Sequence, residues 1–282
     1  MNAARIGELK GIAREIRALT IDEIGYLGVG HIGGAMSVVE LLTLLYYEHM
    51  VADPQRPRDP ERDWLVLSKG HAGPALYATL AHKGFFPRDW LHTLNKGGTS
   101  LPSHCDRNLT PGVDMTTGSL GQGFSAAVGI ALGLAMQGRP SRVFAVIGDG
   151  ETDEGQVWEA AMFAAHHRLD KLVAFTDYNK QQLDGMTRDV LDLEDLDAKW
   201  RSFGWYTQRV DGHDLRALDE AVRKAKANEG RPSMIVMDTV KGKGCSFAEG
   251  LVSNHNMSYT MDDARAAIAA LSAGNVAAGG RA

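Results

Sequence analysis

Cysteine is scarce in this sequence: Cys105 and Cys245 are the only two in 282 residues. They stand far apart, without the paired spacing of a zinc site, and read as buried or idle thiols. A reducing compartment, the cytoplasm, fits that usage. Basic charge is not in excess, because 30 Lys and Arg face 35 Asp and Glu for a net charge of −5. A nucleic-acid role driven by phosphate neutralisation therefore has no support. No apolar run reaches the roughly 18 residues of a membrane span. The opening stretch, MNAARIGELKGIAREIRALT, is amphipathic, carries acids and lacks the apolar core of a signal peptide. Neither a Pro/Ser-rich linker nor a repeat divides the chain. One domain over 1–272 is expected, followed by a disordered tail, 273–282, that is too small-sided and glycine-rich to pack.

What the chain does have is glycine, 32 of them, many beside His, Asp or Lys. Such clusters suit backbone that approaches a ligand. Short apolar runs alternate with helical patterns. Strands are expected at WLVLS (64–68), RVFAVI (142–147), KLVAFTD (171–177), WYTQRV (205–210) and SMIVMDT (233–239). Helices are expected over 3–27, after Gly70, over 119–138, up to about 167, near 193–203, over 214–228 and over 261–272. This alternation predicts an α/β fold, a parallel sheet with helices on both faces. GVGHIGGAMS (28–37) reads as a glycine-rich loop, with Ser37 capping the next helix and Glu40 completing a capping box. Residues 95–117 read as a long loop that lines a site. Helix 119–138, rich in Gly and Ala, is placed at the centre of the molecule and is expected to form much of a buried subunit interface.

VFAVIGDGETDEG (143–155) carries the chemistry. A strand runs into Gly148-Asp149-Gly150, and the following strand runs into Asp177-Tyr-Asn179. Ligands of open parallel sheets bind beyond the carboxyl ends of strands. Adjacent strands would unite Asp149 and Asn179. A carboxylate plus an amide oxygen is a poor zinc site and a good start for a hard cation such as Mg²⁺ or Ca²⁺, which shares oxygens with phosphate and water. Alone, the triplet is equally a plain turn with Asp149 capping a helix.

GDGETDEGQVWEA…DYNKQQLDG resembles the thiamine-diphosphate motif, and TTGSLGQG, LSKGHA and GHIGGA each resemble a signature of transketolases. The order and spacing of the four are similar to the diphosphate-binding domain of that family from about residue 5 to about residue 260. The resemblance implies a thiamine-diphosphate-binding fold and the N-terminal subunit of a split transketolase. That subunit would move a two-carbon glycolaldehyde unit from a ketose to an aldose. It would work with a C-terminal partner chain, expected as α2β2, that brings the glutamate acting on the cofactor's aminopyrimidine. Small sugars or sugar phosphates are the implied substrates; pentose phosphate, apulose phosphate and sulfonated sugars stay open.

By the family pattern Asp149, Asn179 and the Gln181 carbonyl ligate the metal (Mg²⁺, or Ca²⁺ or Mn²⁺), and Gly150 stands beside the diphosphate. His31 and His255 face the donor's carbonyl and hydroxyl, with His255 also beside the cofactor. His71 lies near the diphosphate, and His104 near the C1 hydroxyl. Gly118 and Leu120 contact the aminopyrimidine. Glu154 and Glu159 sit near a subunit interface and link active sites through protons. Glu151 and Asp153 are left to solvent or a helix N-terminus. Lys241, Lys243 and Arg107 read as surface cations, with contact to an anionic substrate tail as the alternative, and His213 takes no role. The sequence departs from the family at Ile32, Ser119 and Asn256, where Pro, Pro and Gly are common. Other readings are a 2-oxoacid dehydrogenase or deoxyxylulose-phosphate synthase type of subunit, and a non-catalytic cofactor-binding regulator.

Overall fold

The computed structural model describes residues 1–273, so nearly all of the tail expected at 273–282 lies outside the described residues. In chain order, helix α1 (Ala3–Leu27) leads through β1 (Val29–Gly30) to the short α2 (Ile32–Met36) and α3 (Val39–Leu44). Strand β2 (Trp64–Leu67) and helix α4 (Gly73–Lys83) precede a stretch with little regular structure, then α5 (Gln122–Met136). There follow β3 (Val143–Gly148), α6 (Gly155–His166), β4 (Leu172–Tyr178), α7 (Thr187–Val190) and α8 (Leu196–Ser202). The chain continues with β5 (Tyr206–Asp211), α9 (Leu215–Ala227), β6 (Ser233–Asp238), β7 (Met257–Ser258) and α10 (Met261–Ser272).

Five strands form one all-parallel sheet in the order β2-β3-β4-β6-β5. Side chains alternate across a strand, so each interior strand feeds two cores. Phe144, Val146, Val173, Phe175, Ile235 and Met237 enter the core shared with α1, α3, α4 and α9. Ala145, Ile147, Ala174 and Val236 enter the opposite core, with α5, α6 and α8. The expected parallel sheet covered on both faces is present, and each expected strand lies within a residue or two of its place. Among the described residues no helix is long and apolar enough to cross a membrane.

Two local expectations fail. Residues 32–36, expected as loop, form a buried helical turn, α2. Ser37 does not cap α3, whose start has no side-chain cap. Its hydroxyl donates instead to Asp177 at 2.6 Å, and Glu40 pairs with Arg17 at 2.7 Å rather than closing a capping box. Buried polar groups took the partners that burial offered, since an unpaired one costs more than a lost cap. Helix α5 also differs from expectation, because only one side of it is packed. Around Gly129 and Gly133 a methyl group would meet nothing within 4 Å.

Candidate active site

The carboxyl edge of the sheet opens on a cavity of about 280 Å³. The β3–β4 register pairs Gly148 with Asp177, which sets the two strand exits side by side. Asp149 and Asn179, 30 residues apart in sequence, therefore both line the cavity. Asp149 accepts from its neighbour Gly150 N–H at 2.9 Å and from Lys180 N–H at 2.5 Å. Lys180 reaches that carboxylate in a left-handed conformation, φ 67°, uncommon for a residue with a side chain. The amide oxygen of Asn179 accepts from Gln181 N–H at 3.1 Å. Burial, with the Asp177 charge nearby, pushes Asp149 up to about 7.

Asp177 is the buried anchor of this edge. Its carboxylate accepts from Ser37 Oγ, from Lys69 Nζ, from Thr239 Oγ1 at 2.5 Å and from Asn179 Nδ2 at 3.0 Å. Burial opposes its charge, but Lys69 together with the Ser37 and Thr239 hydrogen bonds outweighs burial and holds it below the usual carboxylate range. The Asn179 bond fixes that amide with its nitrogen toward Asp177 and its oxygen toward Gln181 N–H. Lys69 also donates to Gly34 O at 3.0 Å.

Four imidazoles line the same cavity. His31 stands 5.6 Å from His71, 5.6 Å from His104 and 5.4 Å from His255, centroid to centroid, and His71 is 4.9 Å from His255. Close backbone approach makes the cluster possible. A methyl group at Gly34 would lie 2.9 Å from His71 Nε2, and one at Gly33 would lie 2.5 Å from the Asn254 carbonyl. The second contact seats the loop that carries His255. Burial, then the nearby Lys241, pulls His255 down to about 4. Burial also lowers His31, His104 and, most strongly of these three, His71. All four are neutral near pH 7, so each ring offers one donor and one acceptor.

Every sequence-predicted cofactor or metal residue lines this cavity: His71, Gly118, Leu120, Asp149, Gly150, Asn179, Gln181 and His255, with His31 and His104 beside them. Glu154 and Glu159 do not; both are exposed. Lys241 corrects the surface reading. It is 2% exposed, lines the cavity, and donates to the Gln182 carbonyl at 3.2 Å, with Gln181 O at 3.5 Å and His255 Nδ1 at 3.3 Å. Burial, reinforced by Lys69, lowers it to about 8. Lys243 is turned away and pairs with Glu249 at 2.9 Å, and Arg107 is partly exposed outside the cavity. Glu151 is corrected too. It is buried, accepts from Ser68 Oγ, from Gly121 N–H at 2.8 Å and from Gly148 N–H at 3.0 Å, and so fastens the β2 and β3 exits to the start of α5. Asp153 accepts from Gln182 Nε2 at 2.6 Å.

Sequence reasoning missed Lys69, Lys241 and Glu151 as parts of the site. The signal for the lysines was their place one or two residues past a strand end, in glycine-bordered loops. Among the described residues no three His, Cys, Asp or Glu side chains stand together as a metal-binding group. One carboxylate, one amide oxygen and peptide carbonyls make a hard-cation set that is complete only when a ligand adds oxygens. Lys69 and Lys241 add positive charge around the same space. The donor set thus fits a divalent cation together with a phosphate-bearing molecule.

Comparison with known proteins agrees on the phosphate-bearing molecule. The family model described as transketolase, thiamine diphosphate binding domain, matches residues 9–274. A 6-deoxy-6-sulfo-D-fructose transketolase subunit of Clostridium sp. (strain MSTE9) is 58% identical over 264 residues, covering 94% of this chain and 96% of that protein. An apulose-4-phosphate transketolase subunit of Actinobacillus succinogenes is 40% identical over 227 residues, 80% of this chain and 82% of that one. Among solved structures, transketolase from Leishmania mexicana superposes with a TM-score of 0.85 at 30% identity, over 95% of this chain and 45% of that chain. Transketolase from Campylobacter jejuni gives 0.88 at 27% identity, over 96% and 43%. The chain thus spans less than half of those longer proteins.

Proposed function

The chain belongs to the transketolase family, and from that premise we propose that it is the diphosphate-binding subunit of a two-chain transketolase. The observation that carries this reading is the meeting of Asp149 and Asn179 with four histidines in one cavity. In this reading Asp149, Asn179 and the Gln181 carbonyl would hold Mg²⁺, or Ca²⁺ or Mn²⁺, whose charge would offset that of the diphosphate. Lys241 and His71 face the diphosphate, and Gly150 lets backbone come close to it. Gly118 and Leu120 border the aminopyrimidine. Bound thiamine diphosphate supplies a carbon nucleophile and an electron sink for breaking the C2–C3 bond of a ketose.

This chain's residues then orient the sugar and handle its protons. His31 and His255 face the donor carbonyl and C3 hydroxyl; a neutral imidazole there takes the hydroxyl proton or donates to developing alkoxide charge. His104 donates to the C1 hydroxyl of the transferred unit and so favours a hydroxyacyl group over an acetyl group. Glu154 and Glu159 are exposed, and in this reading they stand at a subunit interface, where they would link active sites through protons.

The relatives named as subunits support a partner chain, which in this reading brings the glutamate for the aminopyrimidine and covers α5 in an α2β2 assembly in the cytoplasm. The 58% relative makes a sulfonated ketose the first donor to assay. The test is turnover. The chain plus a pyrimidine-binding partner, thiamine diphosphate and Mg²⁺ should transfer a two-carbon unit to an aldose, and either chain alone should not. Turnover by this chain alone, or decarboxylation of pyruvate in place of transfer, would overturn the reading.

A further inference from the structure

We propose that a second, oxyanion-binding site lies in a groove along α1, on the far side of the loop that carries Lys241 and His255. The groove has a volume of about 310 Å³. Lys10, Arg14 and Arg17 line it from one stripe of α1, at the spacing that brings helix side chains onto one face. Lys243 faces them, and Glu40 is the one carboxylate among the lining residues. Four cations around one acid run against a chain whose net charge is −5.

The pairing inside the groove leaves charge unanswered. Glu40 takes Arg17 Nη2 at 2.7 Å and His213 Nδ1 at 3.0 Å, and Glu249 takes Lys243 at 2.9 Å. Among the described residues Lys10 and Arg14 make no ion pair. Arg17 is 5% exposed, and its Nε and Nη2 are committed to Lys243 O, Met36 O and Glu40. Its Nη1 makes no hydrogen bond among the described residues. A fixed guanidinium nitrogen with free N–H groups, flanked by two exposed cations, suits a compact multi-oxygen anion such as the phosphate group of a small metabolite.

The site has a mechanical route to the active site. Arg17 Nε donates to Lys243 O at 3.0 Å. His213 Nε2 accepts from Val240 N–H at 2.9 Å while its Nδ1 faces Glu40. Arg17 and His213 thus grip the start of the loop that presents Lys241.

The test is calorimetric titration of inorganic phosphate into the full chain saturated with thiamine diphosphate and Mg²⁺, at fixed ionic strength. Wild type should bind phosphate. Lys10→Glu/Arg14→Glu should weaken it at least about tenfold, or ~1.4 kcal/mol, and Lys10→Gln/Arg14→Gln should fall between. Phosphate at the cofactor site would ignore these exposed substitutions, so the comparison stands even if thiamine diphosphate itself fails to bind, which would sink the proposed function alone. Absence of phosphate binding by wild type, or equal affinity in the three proteins with unchanged melting temperatures, would overturn the proposal.

Discussion

Lys69 and Asp177, 108 residues apart in sequence, meet as a fully buried ion pair at the carboxyl edge of the sheet. The pair joins the exits of β2 and β4. Through Ser37, Thr239 and Asn179 it also fixes α2, the β6 exit and the amide that faces the cavity.

Removing one partner of such a pair leaves an uncompensated charge. Lys69→Met should cost about 3–5 kcal/mol of stability. Lys69→Met with Asp177→Asn should cost less than Lys69→Met alone, because no lone charge stays buried. Urea denaturation of the two proteins measures both, and a double variant no more stable than Lys69→Met alone would contradict the pairing.

Lys241 faces the cavity with its charge largely unanswered by carboxylates in contact. Lys241→Gln should weaken thiamine diphosphate binding by about 10–100-fold, the worth of a charge-assisted hydrogen bond of about 1.5–3 kcal/mol. The melting temperature without cofactor should hold or rise, since a buried cation is gone. Calorimetry with the cofactor reads the first effect. Unchanged affinity would return Lys241 to a structural role.

Much of this was legible in the sequence. Strand runs ending in Gly-Asp-Gly and Asp-Tyr-Asn place their acids at a sheet edge by period and topology alone, and glycine-bordered histidines mark backbone that must approach something. Partner choice was not legible. Ser37 and Glu40 have the spacing of a capping box, yet burial gave them Asp177 and Arg17, residues distant in sequence. Lys241 and Glu151 carry the composition of surface residues, and only the fold shows that strand exits enclose them. The central placement of α5 failed for a related reason, because Gly and Ala pack closely and are equally tolerated where nothing packs.

Glu23 is fully buried on α1, and among the described residues neither carboxylate oxygen has a hydrogen-bond partner. Burial raises it well above the usual range, with the Asp22 charge adding to the rise. A carboxyl raised on folding stays protonated while the unfolded chain ionises above about 4.3. Its presence therefore costs more stability as pH climbs past that value. Glu23→Gln should raise the melting temperature at pH near 7 and change it little at pH near 4. An equal shift at both pH values would contradict a protonated Glu23.

His49, buried and facing Asp219 at 3.0 Å, acts in the opposite direction. Burial, with Lys226 close by, lowers it to about 4. Between about 6.5 and 4 the unfolded chain takes up a proton that the folded chain refuses, so stability falls as pH drops through that window. His49→Gln should flatten the fall, measured as melting temperature against pH. A wild-type profile level from 6.5 to 4 would argue against it.

The central claim is that Asp149 and Asn179 together hold a divalent cation that clamps a diphosphate. Calorimetric titration of thiamine diphosphate, with and without Mg²⁺, into wild type and into Asp149→Ala/Asn179→Ala tests it most directly, in the presence of the partner chain. The account predicts tight, Mg²⁺-dependent binding by wild type and loss of that dependence in the double variant. Equal affinity with and without Mg²⁺ in wild type, or undiminished Mg²⁺-dependent binding in the variant, would contradict it.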